Sequence, residues 1–214
     1  MNVLHDNWDL IREGFITTLK LTGWCGLVAL VLGTILAAFR VSPVPPLRWF
    51  GTAYVNIIRN TPLTLLMFFV ALGFPKLNLN MDYFTFAVIA VGGYTAAFIC
   101  EAVRSGINTV PLGQAEAARS IGMSFNQTLG LVVLPQALRA VIPPIGSLLI
   151  AMVRNSAIAS AFNVHDLFGT NNAMVENGDN VLWVFFWIAV GYLIITLTLS
   201  AVFAALEKML AVAR

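Results

Sequence analysis

The sequence predicts an all-α integral membrane protein of about five spanning helices. Three observations carry that reading. Hydrophobic residues make up 59% of the 214 residues and charged residues 10%, against roughly 45–50% and 25% in soluble domains. Five segments are long and apolar enough to cross a bilayer, which takes about 20 residues. The basic residues gather on one side of the resulting topology. A water-soluble enzyme, a disordered tail and a nucleic-acid binder are excluded, since a formal charge of +2 with no Lys/Arg run gives no phosphate-tracking surface.

The chain reads as one transmembrane domain over 1–214. Its first span is expected over about 14–39, stopped by Arg40 and Ser42-Pro43-Val44-Pro45-Pro46. Because Asp6, Asp9 and Glu13 precede it where a cleavable signal would carry basic residues, this segment reads as retained. The second span covers about 53–74, with Arg59, Asn60 and Pro62 near its start; the third covers 83–103, the fourth 140–162 and the fifth 181–206. Five is odd, so the termini fall on opposite sides. With the N-terminus outside, Arg40, Arg48, Arg104, Arg119, Arg139, Lys208 and Arg214 face the cytoplasm, and Arg59 snorkels toward it. Arg12, Lys20 and Lys76 then fall outside, as does a loop holding Asp166, Glu176 and Asp179. The expected localisation is a multi-pass plasma-membrane protein, N-terminus out and C-terminus in, in contact with lipid.

The segment between the third and fourth spans, about 104–139, is long but structured. Leu112 to Ile121 has no helix breaker after Pro111, and Gly122 is a stop. Ser124 caps a second short helix, expected to end at Leu134 before Pro135. The alanines of the first helix leave a low-relief face for a partner groove, unless the pair simply lies on the headgroups.

Glu116-Ala117-Ala118, then Gly122, then Leu134-Pro135-Gln136-Ala137 resembles the EAA loop of permease subunits from binding-protein-dependent ABC importers. Arg59-Asn60-Thr61-Pro62-Leu63 and Glu101-Ala102-Val103-Arg104-Ser105-Gly106-Ile107 are similar to two further motifs of that family. Together, Thr17 to Phe162 resembles the histidine/glutamine/glutamate-type branch. Arg40-Val41-Ser42-Pro43 and Ser105-Gly106-Ile107-Asn108-Thr109 look most like actinobacterial glutamate-importer permeases. The resemblance implies a type I importer permease fold. It implies two permease chains, here a second chain related but different, with two cytoplasmic ATPase subunits and an extracytoplasmic solute-binding protein. Glu116 would make polar contacts in the ATPase cleft, Ala117 and Ala118 would keep the approach close, and Gly122 would make the turn. Gln114, Arg119, Leu134 and Pro135 complete the expected coupling set. With no Gly-x-x-x-x-Gly-Lys-Ser/Thr loop, no cofactor is expected on this chain, and ATP with Mg belongs to the partner ATPase.

Arg154, Asn155 and Ser156 fall deep in the expected fourth span. A charge there is costly and faces a cavity or a partner. An Arg fork suits carboxylate recognition, and the cluster resembles a Lys-(Asp/Asn)-Thr-Ser segment near the substrate path of the family. Here Arg replaces Lys and Ser156-Ala157 replaces Thr-Ser. An ion pair of Arg154 with Glu101 or a neighbouring chain is the competing reading. Glu101 is expected to pair with Arg104 one turn on. Arg59 acts as an anchor or a substrate contact, and Tyr94 with Thr95 packs or lines the path. The candidate substrate path is therefore Arg154, Asn155, Ser156, Glu101, Arg59 and Tyr94, for a polar amino acid, glutamate first, with glutamine or a basic amino acid as alternatives.

Cys25 and Cys100 read as buried hydrophobes, and His5 and His165 as solvated outer residues without ligand spacing; no metal site is expected. An intramembrane enzyme lacks its signals. Neither His lies in a span, no Gly-x-Ser-x-Gly nucleophile is present, and every Asp lies outside the spans or at a border. No internal repeat is seen, which disfavours a self-sufficient carrier, and a carrier or channel without ATP would leave the EAA loop no purpose.

Overall fold

The computed structural model describes residues 3–210, so Arg214, assigned above to the cytoplasmic side, lies outside the described residues. Among the described residues every regular element is helical. A short α1 (Val3–Asp6) leads into α2 (Trp8–Val41), and α3 (Pro45–Arg59) is followed after a break by α4 (Leu63–Lys76). Next come α5 (Tyr83–Asn108), the short α6 (Leu112–Ser120), a long α7 (Phe125–Phe162), α8 (Thr170–Glu176) and α9 (Val181–Leu210).

The body is organised by α2 against α5, which pack along most of their length. Lipid tails are as apolar as leucine, so helices in a membrane associate through close van der Waals fit, favoured by small residues. Gly33 on α2 does this: a side-chain carbon there would sit 2.8 Å from Ile99 and 2.9 Å from the Ala96 carbonyl oxygen of α5. Gly92 on α5 reciprocates against Val28 at 3.0 Å. Cys25 and Cys100 are fully buried in this seam, as expected. From Leu21 to Phe39 α2 carries no charge and rises about 28 Å at ~1.5 Å per residue, close to the ~30 Å hydrocarbon thickness.

Two expectations need correction. The segment 53–74 is not one straight helix: α3 and α4 meet at 107° across Asn60–Pro62. Pro62 fixes φ and pushes the residue before it out of the helical region, so α3 stops at Arg59. The second helix of the 104–139 segment also fails to end at Pro135; it runs on as α7 through Pro135, Pro143 and Pro144 to Phe162. A proline ring crowds the carbonyl four residues back, and a widened turn relieves that crowding. Here the turn Thr128–Val133 is a π-helical one, two residues ahead of Pro135, and Phe69–Gly73 stands in the same relation to Pro75.

Beyond α7 the chain folds back on its own end. Asn163 turns it with φ 60°. Asp166 is fully buried and accepts hydrogen bonds from Gly169 N–H at 2.8 Å and the Tyr192 hydroxyl of α9 at 3.0 Å. Leu167 N–H donates to Thr18 Oγ1 of α2 at 2.9 Å. The loop thus joins α2, α7 and α9 at one end of the bundle.

Burial pushes the Asp166 carboxyl from 3.8 up to about 6, against hydrogen bonds from Gly169 and Tyr192 that pull it down. A raised carboxyl holds its proton more tightly in the folded state. Its contribution therefore favours folding below about pH 4 and is lost as the pH rises to about 6. Asp166→Asn is expected to abolish that slope and stabilise the protein above pH 6 by up to about 2–3 kcal/mol. Thermal unfolding between about pH 4 and pH 8 measures this; a variant that keeps the wild-type slope puts its origin elsewhere.

Candidate functional site

Glu101, near the end of α5, gathers three arginines from three helices. Its Oε2 lies 2.5 Å from Arg40 Nη1 of α2 and 3.7 Å from Arg59 Nη1 of α3, while Oε1 accepts from Arg104 Nη2 at 2.5 Å and Nε at 3.2 Å. The pairing with Arg104 matches the helical spacing. The bond to Arg40 crosses 61 positions of sequence and could not be read from spacing. Arg40 is the most enclosed of the three, its side chain 13% exposed against 42% for Arg59 and 37% for Arg104. One carboxylate among three guanidiniums leaves surplus positive charge. Arg59 carries the loosest share of it, its guanidinium lying over the Phe98 ring at 5.4 Å.

A cavity of about 270 Å³ opens beside this cluster, lined by Arg59, Phe98, Glu101, Ser105, Thr109 and Pro144 among others. A second, of about 140 Å³, is lined by Tyr94, Thr95, Phe98, Leu148, Ala151 and Asn155. The two share Phe98 and Leu148, and so form one seam between α5 and α7. Thr95 is buried and its hydroxyl donates to the Val91 carbonyl, so Tyr94 and Asn155 are the polar side chains free to face the upper part of the seam.

Arg154 and Ser156 are not on this seam. Successive helical residues point about 100° apart, and with Asn155 on the seam its neighbours turn away. Ser156 is fully buried and donates to the Val153 carbonyl at 2.8 Å. Arg154 is exposed in the single chain and lines a separate cleft with Phe168, Phe185 and Tyr192. It makes no ion pair among the described residues, so the pairing with Glu101 is not formed. The six candidate residues therefore separate into a seam of Tyr94, Asn155, Arg59 and Glu101, and two residues outside it. Phe98, which joins the two cavities, was not singled out from the sequence, where an aromatic on a span reads as packing.

At the Glu101 end stands α6. Gly122, with φ +85°, ends it in a Schellman motif: Gly122 N–H donates to the Arg119 carbonyl at 3.0 Å and Met123 N–H to the Ala118 carbonyl at 3.2 Å. Ser124 then opens α7 with a capping box to Gln127. Gln114, Glu116, Ala117 and Arg119 are exposed, whereas Ala118 is buried against its own chain. Ala118 was expected on the partner-facing side; in this chain it is buried, and α6 packs against the π-helical turn of α7. Leu134 is 42% exposed and Pro135 partly buried, both on α7 beyond that turn.

A bundle of long apolar helices, an internal polar seam and a short exposed helix ended by a Schellman turn define a membrane transport subunit of the type I ABC permease fold. The chain belongs to the family of binding-protein-dependent transport system inner membrane components, whose profile matches residues 29–212. It is 43% identical to the glutamate transport system permease protein GluC of Corynebacterium glutamicum, over 94% of each chain. It is 38% identical to the probable glutamine ABC transporter permease protein GlnM of Bacillus subtilis, over 98% of this chain and 97% of that one. Among solved structures, an amino acid ABC transporter crystallised with histidines superposes with a TM-score of 0.90 at 30% identity, covering 96% of each chain. The MetNI methionine ABC transporter, at 22% identity and a TM-score of 0.76, shares the fold.

Removing the shared carboxylate leaves three guanidiniums facing one another, whereas removing Arg104 leaves Glu101 still paired twice. Glu101→Gln is therefore expected to destabilise the protein strongly, Arg40→Gln less, and the more exposed Arg104→Gln by about 1 kcal/mol or less. Thermal unfolding of the three variants in one detergent gives the order, and equal losses would mean that the cluster does not act through Glu101.

Proposed function

We propose that this chain is one of two permease chains in an ATP-driven, binding-protein-dependent importer of a polar amino acid, glutamate first. Two ATPase subunits bind on the side of α6 and hydrolyse ATP with Mg; this chain holds no nucleotide. The observation that carries the reading is the joint presence of the α5–α7 seam and the exposed α6 resting on the same helix, α7. Movement of α6 on an ATPase surface passes through Ala118 and the turn Thr128–Val133 into α7, which carries Asn155 on the seam. Glu116, Gln114 and Arg119 supply the polar contacts to the ATPase, and Ala117 allows close approach.

The substrate reading rests on the relatives and on charge. The glutamate permease of Corynebacterium matches over nearly its whole length, and the surplus positive charge around Glu101 suits an anionic substrate. Arg59, with its loose hold on Glu101 and its place on the cavity wall, is the best-placed group to meet a substrate carboxylate. Tyr94 and Asn155 then meet the polar substrate higher in the seam. The glutamine relative supports a second reading, in which only the α-carboxylate is met by an arginine. The second permease chain is a related but different subunit, and an extracytoplasmic binding protein delivers the solute. The N-terminus lies outside and the C-terminus in the cytoplasm, because Arg40, Arg48, Arg104, Arg119, Arg139 and Lys208 then meet the cytoplasmic face.

Binding-protein-stimulated ATP hydrolysis in proteoliposomes holding this chain, its partner permease and the ATPase tests the whole reading. Glutamate or aspartate is expected to stimulate; stimulation by glutamine or a basic amino acid alone would overturn the substrate. In the same system Glu116→Lys is expected to lower coupled uptake by about tenfold or more while the complex still inserts. Normal uptake by that variant removes α6 from the coupling role. Arg154→Ala, off the seam, is expected to leave the KM for the amino acid unchanged, whereas Asn155→Ala raises it.

A further inference from the structure

The two walls of the α5–α7 seam repeat one spacing. On α5 the lining residues Tyr94, Phe98, Glu101 and Ser105 follow one another by four, three and four positions. On α7 Pro144, Leu148, Ala151 and Asn155 do the same. That spacing keeps to a single face of a helix, and on each wall it covers about 16 Å. Tyr94 shares its cavity with Asn155, whereas Ser105 shares the other with Pro144, so the two stripes run antiparallel. The cavities therefore lie in line along one passage.

Polarity along that passage is uneven. Tyr94 and Asn155 supply polar groups at one end, and Arg59, Glu101 and Ser105 at the other. Among the described residues the two side chains that line both cavities, Phe98 and Leu148, are apolar. An apolar constriction between polar compartments excludes water and, with it, charged solutes. The Phe98 ring is gripped from both sides. The Arg59 guanidinium lies 5.4 Å from its centre, a position that the negative face of an aromatic ring favours. The Tyr94 ring stands 5.0 Å away, tilted by 52°. Arg59 is itself loosely held, 3.7 Å from Glu101. A helical aromatic side chain has two χ1 wells, near 180° and about −60°, so the ring has a second position to take.

We infer that Phe98 is the gate of the seam and Arg59 its latch: the ring, set against Leu148, shuts the Tyr94–Asn155 compartment off from the Arg59–Glu101 compartment. A solute carboxylate that draws the guanidinium off the ring frees Phe98 to swing, so opening answers to a carboxylate. Phe98 acts by exclusion, and Arg59 acts on the gate through Phe98. The inference deepens the transport reading above and rests on it, adding the residue that closes the path.

The test reads access, in proteoliposomes of the assembled transporter carrying Cys25→Ala and Cys100→Ala. A membrane-impermeant methanethiosulfonate is added on the side of α6, with no solute present. Ser105→Cys, in the compartment at that end, is expected to react about tenfold faster or more than Ala151→Cys, which lies beyond Phe98. Phe98→Ala, or Leu148→Ala as the other half of the layer, is expected to raise the Ala151→Cys rate about tenfold while the Ser105→Cys rate stays as it was. Arg59→Gln raises it too with the ring in place, and Arg59→Lys, which keeps a cation at the ring, does not. Equal rates at the two positions with Phe98 present would overturn the gate. So would an Ala151→Cys rate that neither Phe98→Ala nor Leu148→Ala moves, which puts the barrier elsewhere. An unchanged rate in Arg59→Gln overturns the latch. Failure of the importer reading shows instead in ATP hydrolysis, so the two failures are told apart.

Discussion

Glu101 is a carboxylate shared by three guanidiniums, and three helices owe their mutual placement at one end of the bundle to it. Charges at the border of a membrane are tolerable only when paired or able to reach water, and this cluster combines the two. Arg40 is enclosed and fixes α2 to α5; Arg104 belongs to α5 itself; Arg59 is held loosely and half in the open. The same graded grip sets the end of α3, because Arg59 is its last residue and Pro62 prevents it from running on into α4. The break is therefore held by a charge on one side and a ring on the other.

The prolines and small residues divide the remaining work. Where α2 meets α5, Gly33 and Gly92 let the backbones approach closely, Ile99 seating on Gly33 and Val28 on Gly92. Where prolines stand inside helices, a widened turn ahead of Pro75 and Pro135 absorbs the ring without ending the helix. That second device makes α7 a single continuous element from the capping box at Ser124 to Phe162. It places the support of α6 and the Asn155 position of the seam on one body.

Much of this was legible in the chain itself. Five apolar segments, the stop at Gly122 and the cap at Ser124 follow from local rules that the surroundings do not override. The Glu101–Arg104 pair follows from helical spacing. What escaped is non-local. No spacing rule pairs Arg40 with Glu101, and none shows that Asn155 faces Tyr94 while Arg154 turns toward Phe185. That separation depends on the rotation of α7 about its axis, which is set by packing against α5 and α9. The break at Asn60–Pro62 was signalled by its proline, but its angle was not, since hydropathy is blind to direction. Proline at 135 misled in the opposite sense: read locally it ends a helix, and only the wide turn before it, formed under the contacts of α6, lets the helix continue. Ala118 was assigned outward on family likeness, and its burial reflects how α6 rolls onto the turn beneath it.

The closure of α6 at its C-terminal end has an engineering meaning. A helix that finishes in its own Schellman turn and is followed at once by a capping box draws little on the rest of the chain for its termination. It rests on one turn of α7, and Ala118 is its one buried side chain. Such a segment is a cartridge: its outward face, Gln114, Glu116, Ala117 and Arg119, is exposed, and a change there leaves the buried Ala118 and the Gly122 turn in place. Under the coupling role proposed for α6, modularity of that kind separates the choice of motor from that of the cargo, although both act on α7.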